Sequence, residues 1–297
     1  MSDVPTIRLG TSDLQVGPIS YGCWRFAHQD LVTAESLVST ALDAGWTLID
    51  TADIYGFDGE RGFGDAESLL GRVLARDPSL RDRMVLATKG GIVPGVPYVS
   101  GAGALTAACE ASLRRLRVDH VDLYQVHRPD LFTHPAEVAG ALVALHERGL
   151  VRYVGVSNHT PAQVAALQAH LSIPLASVQP ELSVAALGAL RDGTLDQAMQ
   201  YGMAVLAWSP LAGGRVATGE GLRPQLVEVL DRFAEQHSTT RTAIALAFVL
   251  AHPSRPVAIV GTQQLPRIAD AVAAAAVQLT RREVYEIIEA SEGVPLP

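Results

Sequence analysis

Four side chains whose types suit proton transfer follow or end short apolar runs of the sequence. Asp50, Lys89 and His127 each end such a run, and Tyr55 lies in the loop five residues after Asp50. An ammonium group beside a tyrosine favours the phenolate, so it lowers the tyrosine pKa from about 10 and makes the hydroxyl a better acid near neutrality. A carboxylate beside the lysine would keep the ammonium charged. These four residue types therefore predict a general-acid site if the fold brings them together.

Lys89 is also the only lysine of the chain, because all the other residues among the 23 lysines and arginines are arginine. Arginine stays protonated and spreads its charge over a planar fork. Lysine is a compact ammonium whose pKa can be tuned and whose amine can act as a nucleophile. Lys89 ends the apolar run Met84–Lys89 and is followed by two glycines. We therefore interpret Lys89 as a functional residue.

The elements that would position these residues follow a regular alternation along the chain. Short apolar runs rich in Val, Ile and Leu alternate with longer Ala- and Leu-rich segments at helical spacing, which predicts parallel strands joined by crossover helices. The eight predicted strands are Ile19–Gly22, Thr47–Asp50, Met84–Lys89, Val121–His127, Val151–Ser157, Ala176–Gln179, Met203–Trp208 and Val257–Gly261. The predicted helices are Val32–Ala44, Ala66–Ala75, Leu105–Leu116, Ala136–Arg148, Pro161–Ala169, Leu195–Tyr201, 225–236, 239–251, Leu265–Ala276 and Arg281–Glu289, the last with Thr280 as its N-cap.

This pattern predicts the α/β class and, within it, a (β/α)8 TIM barrel with an N-terminal β-hairpin and extra C-terminal helices. A barrel of this kind reaches the observed length as one domain, so we expect residues 1–297 to form a single domain. The hairpin is predicted from two short alternating runs around Gly-Thr-Ser-Asp in TIRLGTSDLQVGPIS, and its size suits a lid or a plug of the barrel.

Polar or large residues end six consecutive predicted strands. Besides Asp50, Lys89 and His127, these are Ser157 with Asn158, Gln179 and Trp208. A single polar residue at a strand end usually caps a helix or a turn. Because chemistry in such barrels takes place at the carboxyl ends of the strands, six in succession predict one common site.

Composition excludes several functional classes. The net charge of −8 and the pI of about 5.6 argue against a nucleic-acid or anionic-membrane partner. No apolar run approaches about 18 residues, and MSDVPTIRLG does not resemble a signal peptide. Cys23 and Cys109 form no CxxC pair, which favours a reduced, cytoplasmic protein.

Motif searches of the sequence exclude several kinds of site. GFGDAE at 62–67 lacks the third glycine of a dinucleotide-binding GxGxxG motif. The sequence has no HExxH, no Cys/His spacing suited to zinc and no GxSxG, so we expect no metal site.

The motifs DTADIYG, ATKGG, VHRPD and VGVSN, in this order and spacing, resemble the aldo-keto reductases over essentially the whole chain. VHRPD and AWSPLAGGR more loosely resemble a bacterial branch of small monomeric oxidoreductases, which implies a monomer. The resemblance implies reduction of an aldehyde or ketone to an alcohol by NADPH. The implied catalytic residues are Asp50, Tyr55, Lys89 and His127. Tyr55 would protonate the carbonyl oxygen, Lys89 paired with Asp50 would tune Tyr55, and His127 would orient the carbonyl.

The resemblance further implies a cofactor site and a substrate pocket. The implied nicotinamide contacts are Ser157, Asn158, Gln179 and the stacking ring of Trp208. The implied contacts of the pyrophosphate and adenosine ends are Ser209, Leu211, Gly213, Thr262 and Arg267. The implied substrate pocket contains Trp24 and Phe26.

The chain departs from the family pattern at three positions. Leu182 replaces a frequent aromatic residue, Gly261 replaces a lysine of some members, and Ala271 replaces a frequent asparagine. The last two differences remove contacts at the adenosine end. The expectation of NADPH therefore depends mainly on Arg267, with NADH as the alternative cofactor.

Two other functions remain open at this point. One is an aldolase-type lyase on the same barrel, with Lys89 forming a Schiff base, although a neighbouring Asp50 would keep that lysine charged. The other is a non-catalytic nicotinamide-binding module that acts as a redox sensor.

Overall fold

A computed structural model describes residues 6–296, in which eight parallel strands close into a barrel. The strands are β1 Ile7–Arg8, β2 Gln15–Val16, β3 Ile19–Gly22, β4 Leu48–Asp50, β5 Val85–Gly90, β6 Val121–Val126, β7 Val151–Ser157, β8 Ser177–Gln179, β9 Ala204–Trp208 and β10 Val257–Val260. β1 and β2 form an antiparallel hairpin, and β3 to β10 follow one another around the barrel until β10 pairs with β3. The predicted (β/α)8 barrel is confirmed.

Helices surround the barrel. They are α1 Leu31–Asp43, α2 Asp65–Arg76, α3 Ser79–Asp82, α4 Ala102–Leu116, α5 Pro135–Glu147, α6 Pro161–Gln168, α7 Thr194–Tyr201, α8 Arg215–Thr218, α9 Pro224–Gln236, α10 Arg241–Leu250, α11 Leu265–Val272 and α12 Arg281–Glu292. The short helices α3 and α8 were not predicted. The predicted helix Leu265–Ala276 is α-helical only as far as Val272 and ends in a 3₁₀ segment, Ala273–Ala276, a tightening that is frequent at helix ends. No helix described between residues 6 and 296 is both long and apolar enough to cross a membrane.

Side-chain caps begin several of these helices where the sequence supplies Asp or Thr. Asp30 accepts hydrogen bonds from the backbone of α1, and Thr160 and Thr280 form capping boxes with Gln163 and Glu283. The predicted N-cap Thr280 is therefore present.

The barrel interior has an apolar lower half and a polar upper half. Alternate residues of a strand face the same side, so Val85 and Ala87 point into the interior below Lys89, and Leu123 does so below Gln125. The polar layer lies at the carboxyl ends of the strands, where the sequence predicts the site.

The N-terminal hairpin closes the lower end of the barrel. Leu9, Leu14 and Val16 are buried against the apolar interior. Gly10 has φ +55°, and a Cβ atom there would lie 2.1 Å from the backbone oxygen of Ala176, so this close approach requires glycine. The hairpin is thus a plug at the end opposite the polar layer.

Candidate active site

Asp50, Lys89 and Tyr55 form a buried hydrogen-bonded cluster at the upper end of the barrel. Asp50 ends β4 and Lys89 lies one residue before the end of β5. The ammonium group Nζ of Lys89, whose side chain is fully buried, donates to Asp50 Oδ2 at 2.6 Å, to the backbone oxygen of Thr51 at 2.8 Å and to the hydroxyl oxygen of Tyr55 at 3.1 Å. An ammonium has three donors, so these three contacts use all of them.

The surroundings of Lys89 keep it charged. Burial alone would lower the pKa of Lys89, but the negative charge of Asp50 and the hydrogen bonds to Asp50 and Tyr55 outweigh burial and raise it. A Schiff base requires a neutral and accessible amine. The geometry of Lys89 therefore argues against the lyase alternative.

Tyr55 lies at the boundary between this cluster and an open cavity, with 8% of its surface exposed. Its ring is edge-on to the rings of Trp24 and His127, at centroid distances of 5.0 and 5.8 Å. Burial raises the pKa of Tyr55 above its usual value, although the charge of Lys89 acts in the opposite direction. The prediction of a lowered tyrosine pKa is wrong, because it considered the neighbouring charge and not the loss of solvent. Tyr55 is therefore a protonated hydroxyl at neutral pH.

The loop that carries Tyr55 is held by a buried polar group that the sequence did not reveal. Glu67, near the start of α2, accepts hydrogen bonds from Thr88 and from Arg115 Nε, the latter at 2.7 Å. The backbone N–H of Ala66 donates to the oxygen of Tyr55 at 3.1 Å. Thr88 is the neighbour of Lys89 on β5, so Glu67 links the tyrosine loop to the lysine strand.

His127 follows β6 and lines the cavity beside Tyr55. Burial and the positive charges of Lys89 and Arg128 lower the pKa of His127 well below its usual value, so the imidazole is neutral at physiological pH. Its Nδ1 atom is buried and has no hydrogen-bond partner among residues 6–296. A buried N–H without a partner is costly, so the proton of the neutral ring belongs on Nε2.

Two glutamines extend the cluster on the other side of Asp50. Gln179, at the end of β8, donates from Nε2 to Asp50 Oδ1 at 3.0 Å. Gln125, which lies opposite Lys89 in the β5–β6 ladder, is fully buried beside Gln179 and Ser177. Sequence reasoning missed Gln125, although period two places it on the same face of β6 as the apolar Leu123 and makes a polar residue there unusual.

Ser157, Asn158 and Trp208 form a second polar group on the cavity wall. Asn158 has φ +58°, and its Nδ2 atom donates to Ser157 Oγ at 2.8 Å and to the backbone oxygen of His127 at 3.3 Å. Trp208 Nε1 donates to Asn158 Oδ1 at 2.9 Å, which fixes the orientation of the indole ring. These bonds join β7 and β9 to the end of β6.

The cavity above these residues has a volume of about 760 Å³ and extends from Tyr55 to α11. Its wall contains all nine residues that the resemblance assigned to the cofactor: Ser157, Asn158, Gln179, Trp208, Ser209, Leu211, Gly213, Thr262 and Arg267.

The residues present fit an elongated dinucleotide. Gln179 Oε1 accepts no hydrogen bond from residues 6–296 and is free for the donors of a carboxamide. Ser209, Ala212, Gly213 and Gly214 all have positive φ, which turns this loop sharply along the cavity.

The adenosine end of the cavity carries one exposed arginine. The guanidinium group of Arg267 on α11 makes no hydrogen bond or ion pair with other described residues, whereas that of Arg241 is bound to Asp231 by two contacts of 2.6 Å. Gly261 and Ala271 line this end without offering side-chain hydrogen bonds. Leu182, by contrast, is buried and does not line the cavity.

The two predicted substrate-pocket residues have different positions. The segment Cys23–His28 is a 3₁₀ helix, in which side chains three residues apart share a face. Cys23 and Phe26 therefore both face the core, where Phe26 is fully buried against Tyr21, and Trp24 lines the cavity with 61% of its surface exposed. The prediction that Phe26 lines the substrate pocket is wrong. Arg128, which was not predicted, lines the cavity next to His127.

Comparison of the sequence with known proteins gives one family and several similar oxidoreductases. The model of the Aldo/keto reductase family matches residues 18–292. The chain is 47% identical to the 6-dehydroglucose reductase of Novosphingobium aromaticivorans, covering 100% of both chains. It is 36% identical to the oxidoreductase YdhF of Escherichia coli, with coverage of 92% of this chain and 91% of the relative. It is also 35% identical to the 6-dehydroglucose reductase of Agrobacterium fabrum, with coverage of 94% and 96%.

Among solved structures, the thermostable aldo-keto reductase Tm1743, crystallised in complex with the inhibitor epalrestat, has the same fold. The TM-score is 0.84 at 24% identity, and the match covers 96% of this chain and 99% of that protein. With the family model matching from β3 to α12 and with relatives that align over more than nine-tenths of their length, the chain belongs to the aldo/keto reductase family and is an oxidoreductase.

Proposed function

We propose that this oxidoreductase reduces an aldehyde or ketone to an alcohol with NADPH, and that Tyr55 is the general acid. The observation that carries the proposal is the Tyr55 hydroxyl group, which faces the cavity and accepts a hydrogen bond from the charged Lys89 at 3.1 Å. A carbonyl oxygen becomes strongly basic as hydride adds to the carbonyl carbon. It therefore needs a proton donor on the cavity wall.

Tyr55 supplies that proton. Its raised pKa keeps the hydroxyl protonated before reaction, and the ammonium of Lys89 stabilises the phenolate that forms when the proton leaves. Asp50 holds Lys89 in its charged form and fixes the position of Nζ. Lys89 thus acts as a charged partner of Tyr55, and a nucleophilic role is not needed.

His127 orients the carbonyl group. As a neutral imidazole with its proton on Nε2, it donates a hydrogen bond to the carbonyl oxygen beside the Tyr55 hydroxyl. Two donors that converge on one oxygen fix the plane of the carbonyl and stabilise the negative charge that develops there.

The nicotinamide, when bound, supplies the hydride. Ser157, Asn158 and Gln179 would hold its carboxamide, and the ring of Trp208 would lie against the nicotinamide. Ser209, Leu211 and Gly213 would contact the pyrophosphate. Arg267, with Thr262 beside it, would pair with a 2′-phosphate, and for this reason we favour NADPH over NADH.

The substrate we favour is a sugar aldehyde. The relative with 47% identity over the full length of both chains is named as a 6-dehydroglucose reductase, and so is the relative of Agrobacterium fabrum. 6-Dehydroglucose carries an aldehyde on a polyhydroxylated ring, and its reduction returns a primary alcohol.

The experiment is the oxidation of NADPH, followed at steady state with a panel of aldehydes that includes sugar aldehydes and a nitrobenzaldehyde, and repeated with NADH. Tyr55→Phe removes one oxygen atom and should lower kcat by about 10³-fold, within the range for loss of a general acid. Tyr153→Phe is the matched control, because that hydroxyl lies at the opposite end of the barrel, where it donates to Asp13. It should leave kcat unchanged.

Undiminished reduction by Tyr55→Phe would exclude Tyr55 as the acid. Binding of NADPH by the wild type without turnover of any aldehyde would favour the redox-sensor alternative instead.

A further inference from the structure

We infer that Arg128 is a specificity-determining residue that binds oxygen atoms next to the reacting carbonyl, so that the site selects aldehydes with hydroxyl groups on the adjacent carbons. The inference rests on the proposed reduction at Tyr55 and assigns its substrate preference to one side chain.

The position of Arg128 is set by the strand that positions His127. Both residues follow β6 directly, and both line the cavity together with Tyr55 and Trp208. The guanidinium carbon of Arg128 lies 6.0 Å from the centre of the Trp208 ring. The half-buried Arg128 therefore stands beside the residues that would hold the carbonyl and the nicotinamide.

The guanidinium group of Arg128 makes no hydrogen bond or ion pair in the part of the chain that the structure describes. Arg25, another arginine of the cavity wall, donates to the backbone oxygen of Gly213 at 3.0 Å. The nearest acidic residue in sequence, Asp130, accepts hydrogen bonds from Ser100 and from residues of its own turn. Arg128 forms none of these bonds, so its donors are available to a ligand.

A free guanidinium in this place has a defined chemical use. Its planar fork of N–H groups matches two neighbouring oxygen atoms, such as those of a vicinal diol or a carboxylate. Tyr55 and His127 would fix the carbonyl oxygen, and a group bound to Arg128 must then belong to a carbon close to the carbonyl.

Trp24 adds a second feature that suits a hydroxylated substrate. Its exposed ring stands edge-on to Tyr55 at the mouth of the cavity and offers a flat apolar surface. A sugar has hydroxyl groups on its edges, which suit Arg128, and an apolar C–H face, which suits Trp24, and both residues line the same cavity. A carboxylate would use Arg128 alone, and for this reason we favour vicinal hydroxyls.

The test compares three small aldehydes that differ next to the carbonyl: D-glyceraldehyde with two hydroxyls, propanal with none, and glyoxylate with a carboxylate. kcat/KM is measured with NADPH for the wild type, Arg128→Met and Arg128→Lys. Arg72→Met, which removes an exposed charge from α2, is the matched control. Thermal unfolding of each variant establishes that it is folded.

We expect Arg128→Met to lower the ratio of kcat/KM for glyceraldehyde to that for propanal by about 10- to 100-fold, as for loss of a charge-assisted hydrogen bond. Arg128→Lys should recover part of the ratio, and Arg72→Met should leave it unchanged. A ratio that stays within twofold in folded Arg128→Met would overturn the inference while the reduction itself stands. A loss confined to glyoxylate would also overturn it, in favour of carboxylate recognition. A wild type that reduces none of the aldehydes with either nucleotide would instead contradict the proposed function.

Discussion

Each end of the barrel buries a carboxylate that is paired with basic residues, two at the lower end and one at the upper end, and the two clusters differ in what the basic residues contact next. At the lower end Asp122 accepts hydrogen bonds from the backbone N–H of Leu86 at 2.9 Å and from Arg152 at 3.0 Å, and it forms an ion pair with Arg81 at 2.9 Å. The arginines are partly exposed, and Arg152 also reaches Asp13 of the hairpin. This cluster ties the plug to the barrel wall.

At the upper end the carboxylate of Asp50 pairs with one cation among residues 6–296, the fully buried Lys89, whose ammonium group also contacts Tyr55. The cluster therefore ends in a hydroxyl group at a cavity, whereas the lower cluster ends at protein atoms and solvent. A buried ion pair contributes little net stability compared with apolar residues of the same volume. The lower pair joins the hairpin to the barrel wall, whereas the upper pair contacts Tyr55, and under the proposed function its role is to stabilise the Tyr55 phenolate.

The largest contrast should appear when each carboxylate loses a cation. Lys89→Met leaves Asp50 buried with only glutamine donors, and we expect the free energy of unfolding to fall by about 3–5 kcal/mol. Arg81→Met leaves Asp122 with Arg152 and the Leu86 amide, so the loss should be about 1 kcal/mol. Urea unfolding measures both.

The double variant Asp50→Asn/Lys89→Met is the control for this pair. It removes the uncompensated charge and should recover most of the stability without recovering activity. Equal losses of stability at the two ends in the single variants would contradict the comparison.

A smaller effect is expected when Lys89 keeps its charge but changes shape. Lys89→Arg places a planar fork where a compact ammonium contacts three oxygens, so it should lower kcat by about 100-fold, or about 2.7 kcal/mol of transition-state stabilisation. Steady-state NADPH oxidation measures the change. Arg81→Lys at the lower end is the reverse exchange and should leave kcat unchanged. If the Lys89→Arg variant had the kcat of the wild type, a positive charge at this position would suffice for activity, whatever the shape of the group that carries it.

The pH dependence of stability should also distinguish the upper end of the barrel from the lower end, because His127 at the upper end has a depressed pKa. The pKa of His127 is depressed in the folded protein, so between that value and about 6.5 the unfolded chain binds a proton that the native state does not. Stability is therefore lost as the pH falls below about 6.5, by up to about 1.4 kcal/mol per pH unit, and His127 has no such effect above it.

Comparison of the wild type with His127→Asn at pH 7.5 and pH 5.5 isolates this contribution, because all other titrating groups are shared. Between the two pH values, the wild type should lose about 1.4 kcal/mol more than the variant. The same loss in both proteins would mean that His127 is protonated freely in the folded state.

The smallest effect is expected at the hairpin. Asp13→Asn removes the exposed contact with Arg152, and exposed ion pairs of this kind contribute less than about 1 kcal/mol. We expect a change within that limit in urea unfolding and no change in kcat. A loss of activity would show that the plug communicates with the upper end.

Sequence reasoning predicted the elements well because the periodicities are local. Each of the eight barrel strands was placed to within one residue at its ends, and the convergence of the strand ends followed from the barrel itself. Asp50, Lys89 and His127 are therefore recognisable from the sequence as strand-end residues. Tyr55 was found from its place in the loop after Asp50.

The sequence did not reveal the residues that contact or adjoin the site without ending a predicted strand. Gln125 lies in the middle of an apolar run, and Glu67 lies on a helix with many polar neighbours, so neither stands at a position that the strand-end argument considers. Arg128 stands beside His127, but nothing local distinguishes an arginine with a partner from one without. Phe26 was assigned to the wrong side, because a 3₁₀ segment turns its side chains by a different angle from a strand or an extended loop.

The sequence by itself determined the barrel, the order of its strands and the set of polar groups at their ends, because apolar periodicity and chain order are properties of short segments. Only the tertiary structure decided that the hairpin is a plug, that Phe26 belongs to the core, and that burial outweighs Lys89 in setting the pKa of Tyr55. Those outcomes depend on how much solvent is removed by residues far apart in the chain, and no local pattern records that quantity.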